Sequence, residues 1–162
     1  AMYTTSEVTA ALPSGSVPTV CVLDPDGDIV AHLLKSHQAE HDPVWACYHT
    51  SLYRCERGGM NFGIIGCAVG GPFAVLLAEQ LFVSGCELLI SITSAGQIIP
   101  VRPPPYFVLI EKALRDEGAS HHYLPPAKYV CLLQDCPQSP FRHVSGMIWY
   151  RRVSSCSSIK GN

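Results

Sequence analysis

The chain has 162 residues, the length of one domain, and can bury a core without disulfide or metal staples. Hydrophobic residues make up 48% of it and charged residues only 15%, which excludes a disordered chain and points to an extensively buried sheet. A formal net charge of −2 leaves no electrostatic footprint for nucleic acid, and no apolar run reaches the roughly 18 residues of a membrane-crossing helix.

Residues 1–16 read as a flexible N-terminal segment. They lack the basic and apolar regions of a signal peptide, so a cytoplasmic protein is expected. Residues 18–23 form a buried strand, stopped by the turn sequence Asp24-Pro25-Asp26-Gly27. A short amphipathic helix over 28–35 follows, with Ile29, Leu33 and Leu34 on one face. Two strands, 44–52 and 61–68, are expected around an Arg57-Gly58-Gly59 turn. Gly70-Gly71-Pro72 opens the clearest helix, which runs through Leu81 and Phe82 to a stop at Ser84-Gly85. Residues 87–92 are the next buried strand, and 106–110 a further strand candidate after Pro103-Pro104-Pro105. Strand, glycine-rich loop, helix, strand is the grammar of parallel pairing. From Gln134 onward the apolar period is lost, and 134–162 is expected to be an irregular tail. The eight cysteines form no CxxC pair, and several lie in apolar runs, as in Val20-Cys21-Val22-Leu23 and Gly66-Cys67-Ala68-Val69. Reduced thiols are expected, with no zinc site.

Four segments bear on chemistry. Gly66-Cys67-Ala68-Val69-Gly70-Gly71-Pro72 joins a strand to a helix, and is either an anion cradle or a tight turn that needs small residues. It has neither Walker nor GxGxxG spacing. Ser91-Ile92-Thr93-Ser94-Ala95-Gly96-Gln97 ends a strand where α/β sheets bind ligands; its hydroxyls suit phosphate or ribose, or decorate an ordinary loop. Arg115-Asp116-Glu117-Gly118-Ala119-Ser120-His121-His122-Tyr123-Leu124-Pro125-Pro126 combines a cation, acids, imidazoles and a ring. It serves either sugar binding and acid–base work or an Arg115–Glu117 network that pins a long loop. His37-Gln38-Ala39-Glu40-His41 fits the H-x-x-E-H pattern of zinc proteases, but Asp42-Pro43 follows at once, so it reads as an exposed, polar helix end.

Together, Gly66 to Pro72, Thr93-Ser94-Ala95-Gly96 and the 115–126 block resemble the nucleoside phosphorylase family, on its uridine and purine nucleoside branch, over residues 20–129. The resemblance implies an α/β fold with a central mixed, largely parallel sheet flanked by helices, here incomplete. It places the family-like domain at 17–133. It implies reversible phosphorolysis of a nucleoside N-glycosidic bond to free base and pentose 1-phosphate, with nucleoside and inorganic phosphate as partners, phosphate as co-substrate, no cofactor, no metal, and homo-oligomers. By similarity Gly27, in the Gly27-Asp28 loop, lies by the phosphate. Thr93 and Ser94 hydrogen-bond phosphate or ribose, Ala95 and Gly96 line the nucleoside, and Arg115, Glu117 and His122 belong to the neighbouring loop. The family carries phosphate-binding arginines where this chain has Ala31 and Ser91, which leaves Arg54, Arg57 or Arg115 as substitutes. Its Met-Glu ribose site and base-contacting acid lie beyond any matching segment, so the catalytic residues are unassigned. The chain is therefore expected to be truncated, or altered in its C-terminal reading frame, relative to its relatives. A catalytically inactive binding fragment and a phosphate-independent nucleosidase are the alternative functions.

Overall fold

The computed structural model describes residues 17–47, 49–96, 98–99, 103, 105–131 and 148–151; for 131 and 148–151 only the backbone is described. Residues 1–16 and nearly all of 134–162 therefore lie outside the described residues.

The chain runs through β1 (Val20–Asp24), α1 (Asp28–Lys35), β2 (Ala39–His41), β3 (Leu52–Arg57), β4 (Met60–Gly66), α2 (Gly71–Val83) and β5 (Leu88–Ser91). Three short strands follow among the described residues: β6 (Lys112–Leu114), β7 (Tyr129–Cys131) and β8 (Ile148–Arg151). Six strands form one mixed sheet in the order β2-β3-β4-β1-β5-β8, and β6 pairs with β7 in a second. Parallel pairing is confined to the centre, where β1 lies between β4 and β5. The outer pairs β2–β3, β3–β4 and β5–β8 are antiparallel.

Successive side chains of a strand point to opposite faces, and β1 is buried on both, so it is apolar from Val20 to Leu23. Cys21 and Leu23 join Leu52, Ile65 and Leu89 on one face, under Leu77 and Leu81 of α2. Val22 joins Ile64, Ile90 and Cys55 on the other, under Val30 and Leu33 of α1. The two helices therefore cover opposite faces. The buried Cys21 thiol donates a hydrogen bond to Cys86, and that bond together with burial pushes the Cys21 thiol up, so it stays protonated. Cys21, Cys55, Cys67 and Cys86 are free thiols.

Both helices stop in the same way. Gly85, at φ +109°, ends α2, and the N–H groups of Gly85 and Cys86 return to the carbonyls of Phe82 and Leu81. The same pair of bonds ends α1, where His37 and Gln38 donate to Leu34 and Leu33, but the left-handed position is held by His37 at φ +56°. This corrects the reading of 37–41 as a helix end. The helix has closed by Lys35, and Ala39–His41 is an edge strand paired with β3.

Three other expectations change. The strand expected over 44–52 begins only at Leu52. Before it, the Val44 N–H bonds the Asp42 carboxylate at 2.9 Å and the Trp45 indole N–H bonds Thr50 Oγ1 at 2.8 Å, which closes a loop in place of a ladder. The strand candidate 106–110 is irregular, with Phe107 and Val108 exposed, and pairing starts at Lys112. β4 ends at Gly66, so Cys67 is exposed instead of buried in a strand. The Arg57–Met60 hairpin does form, with Gly58 and Gly59 both at positive φ, as a two-residue primed turn requires. Inside the stretch expected to be irregular, Ile148–Arg151 runs antiparallel to β5. No helix among the described residues is long and apolar enough to cross a membrane.

Candidate functional site

The parallel strands β1, β4 and β5 end side by side at Asp24, Gly66 and Ser91. The connections after β1 and β4, through α1 and α2, cover opposite faces of the sheet, the arrangement that opens a crevice at strand carboxyl ends. The Asp24–Gly27 turn ties this end together. Asp24 is 1% exposed. Its carbonyl accepts the N–H groups of Gly27 at 3.1 Å and of Cys67 at 2.8 Å, and its carboxylate accepts the Val30 N–H at 3.0 Å, capping α1 from outside the helix. Gly27 is required by two features. Its φ is +80°, and a Cβ there would stand 2.8 Å from Cys67 Sγ.

From this turn Asp26 reaches the loop after β5. Its Oδ2 accepts the Ser94 N–H at 2.6 Å and the Thr93 hydroxyl at 3.3 Å. The Ser94 amide holds the Asp26 carboxyl below its usual range. An amide N–H beside a hydroxyl is a donor pair suited to an oxyanion. The sequence singles out Gly27, Thr93 and Ser94, and the structure brings them together, but through Asp26, which in the sequence stands only as part of a turn. Its signal was legible: Asp24, Asp26 and Asp28 put three acids in five residues beside a glycine. Ala95 and Gly96 continue the exposed loop.

Arg115, Glu117 and His122 form a separate group. Arg115 is 7% exposed. Its Nε donates to Ser120 Oγ at 2.9 Å, and its terminal nitrogens donate to the carbonyls of Ser120 at 2.9 Å, Leu124 at 3.1 Å and Pro125 at 2.5 Å. Glu117 accepts the Ser120 N–H at 2.9 Å, and hydrogen bonding by Ser120 holds its carboxyl below the usual range. His122 is exposed on the short 3-10 turn Ala119–His122. Tyr123 donates its hydroxyl to Glu79 of α2 at 2.8 Å, docking the loop on that helix and raising the phenol above its usual range. Among the described residues no hydrogen bond or ion pair joins this loop to the Asp26–Ser94 contact.

The arginines considered as substitutes lie away from the crevice. Arg54 stands opposite Gly63 and Arg57 opposite Met60, three and six residues before Gly66. At about 3.3 Å per residue, they lie about 10 and 20 Å down the sheet from the crevice. Arg54 also pairs with buried Asp42 at 2.8 Å. Near it Pro18, Thr19, Asn61 and Phe62 line a cavity of about 280 Å³ at the amino ends of β1 and β4, away from the crevice. Among the described residues no group of three or more His, Cys, Asp or Glu is placed to hold a metal ion.

No protein-family model matches this chain, and no curated protein matches it in sequence. Its fold is similar to that of uridine phosphorylase from Vibrio fischeri, with TM-score 0.53 and 20% identity, over 72% of this chain and 46% of that one. The same enzyme complexed with 6-hydroxy-1-naphthoic acid gives TM-score 0.53 and 20% identity, over 72% and 45%. The chain thus spans less than half the length of these neighbours, and the likeness is one of fold.

Proposed function

We propose that this chain is a nucleoside phosphorylase-like protein whose ligands meet at the carboxyl ends of β1 and β5. The reaction in this reading is reversible phosphorolysis. A phosphate oxygen attacks C1′ of the nucleoside, the C1′–N bond breaks, and its electron pair leaves on the base, which takes up a proton. Free base and pentose 1-phosphate result, and no cofactor is needed.

The observation that carries this reading is the donor pair of Ser94 N–H and Thr93 hydroxyl, held against the β1 turn at the end of parallel strands. Fold likeness to uridine phosphorylase supports it. With the developing charge spread over sugar and phosphate, the protein's task is positioning and electrostatic stabilisation. The same reading gives a cytoplasmic homo-oligomer, and exposed Phe107, Val108 and Ile110 supply apolar surface for self-association. The test is chromatographic detection of free base from uridine and purine nucleosides, with and without inorganic phosphate. Phosphate-dependent base release is expected, and no release from any nucleoside would overturn the reaction for this chain.

A second reading, nucleoside binding without phosphorolysis or hydrolysis without phosphate, is favoured by one specific observation. Asp26 already fills the donor pair, Arg54 and Arg115 are engaged away from it, and Arg57 lies six residues down the sheet. A thermal shift with nucleoside but no base release selects binding alone. Base release independent of phosphate selects hydrolysis.

A further inference from the structure

Resting on that reading of the site, we propose that Asp26 is a built-in competitor for the acceptor anion and sets the preference of the site between inorganic phosphate and a neutral hydroxyl. A phosphate seated after β5 needs the Ser94 N–H and the Thr93 hydroxyl, the two donors that Asp26 Oδ2 holds at 2.6 and 3.3 Å. One amide hydrogen serves one strong acceptor, so carboxylate and phosphate exclude each other there. The competitor cannot drift far. Its backbone is fixed on both sides by the bonds of Gly27 and Cys67 to the Asp24 carbonyl. Its side chain is exposed, so it swings aside by rotation alone and stays within one side chain's length of the donors. Asp24 and Asp28 flank it and add negative charge to the turn. A dianion entering here meets like charge at short range.

A hydroxyl meets the opposite situation. An ionised carboxylate is an acceptor with several lone-pair positions, so Asp26 receives a sugar or water O–H while keeping its bond to Ser94. The depressed carboxyl of Asp26 is in keeping with this, since it stays ionised through the neutral range.

Calorimetric titration of the full chain and of Asp26→Asn with inorganic phosphate, and separately with uridine in phosphate-free buffer, tests the assignment. Asp26→Asn is expected to bind phosphate about tenfold or more tighter than the wild type, and uridine more weakly. Asp26→Ser, neutral and shorter, is expected to show the same gain for phosphate. Equal phosphate affinity across the three proteins, including no binding by any, overturns the proposal. The amide proton of Ser94 gives an independent readout by NMR. Its carboxylate-bonded downfield shift is expected to be lost in Asp26→Asn while distant resonances stay in place, and an unchanged Ser94 amide overturns the proposal. Uridine binding by none of the proteins counts against uridine as the nucleoside of the proposed function, whereas the phosphate comparison still decides the role of Asp26.

Discussion

Asp24 and Arg115 are buried charges, 1% and 7% exposed, each held largely by main-chain groups, yet they relate to the fold in opposite ways. Asp24 closes β1, and the amides that meet it, Val30, Gly27 and Cys67, are brought there by a sheet and a helix that form for other reasons. Arg115 gathers the carbonyls of Ser120, Leu124 and Pro125 from a segment whose regular structure is one short 3-10 turn. The first charge joins elements that already exist; the second supplies the order of its own loop. The contrast shows why the crevice lies on the sheet side. There the backbone is fixed by pairing, so Asp26, Thr93 and Ser94 are set by the register of β1 against β5. In the loop the carbonyls of three residues converge on one guanidinium.

The largest expected effect therefore comes from Arg115→Ala. It leaves several carbonyls without their donor, and local opening of 116–126 should become easier by about 3 kcal/mol. Hydrogen exchange of the Ser120 and Leu124 amides reads this directly. Protection like that of the wild type would show that the loop is ordered by something else, and the contrast would fail. Asp24→Ala should cost about 2 kcal/mol of global stability in denaturant unfolding, since the Val30 amide loses its acceptor while strand pairing persists. A loss confined to α1 would make this network as local as that of Arg115.

Acid unfolding gives the smallest expected effect. Asp26 and Glu117 have carboxyls held below their ordinary values of 3.8 and 4.5. Each therefore favours the folded state above its ordinary value, and that contribution is lost as pH falls through the lowered one. Both side chains are exposed, so the change is small. The melting temperature of the double variant Asp26→Asn, Glu117→Gln should fall less steeply than that of the wild type between about pH 5 and about pH 2. Identical slopes would show that neither carboxylate bond contributes.

Much of the fold was legible in the sequence because local and global signals agree. Val20 to Leu23 is apolar on both faces and is the central strand. Gly70-Gly71-Pro72 starts α2 and Ser84-Gly85 ends it, with capping chemistry at both ends. The failures have separate physical causes. His37 takes a left-handed position usually given to glycine, so nothing in its residue type announced the end of α1 and the start of β2. Asp42 closes the 42–51 loop through a side chain, where apolar content suggested a strand. At the site Thr93 and Ser94 were legible as strand-end hydroxyls, whereas their partner Asp26 lies 68 residues away from Ser94.

What the sequence determined by itself is the set of local choices: which segments are apolar on one face or two, where glycine permits a turn, and where hydroxyls end a strand. These follow from side-chain periodicity and backbone sterics, which act over a few residues. Tertiary structure decided the rest. Parallel register laid the Asp24–Gly27 turn against the loop after β5, and so gave the donor pair of that loop to an acid of the protein's own. It also drew the guanidinium of Arg115 into its own loop, because a buried cation must be met by acceptors and the nearest are that loop's carbonyls.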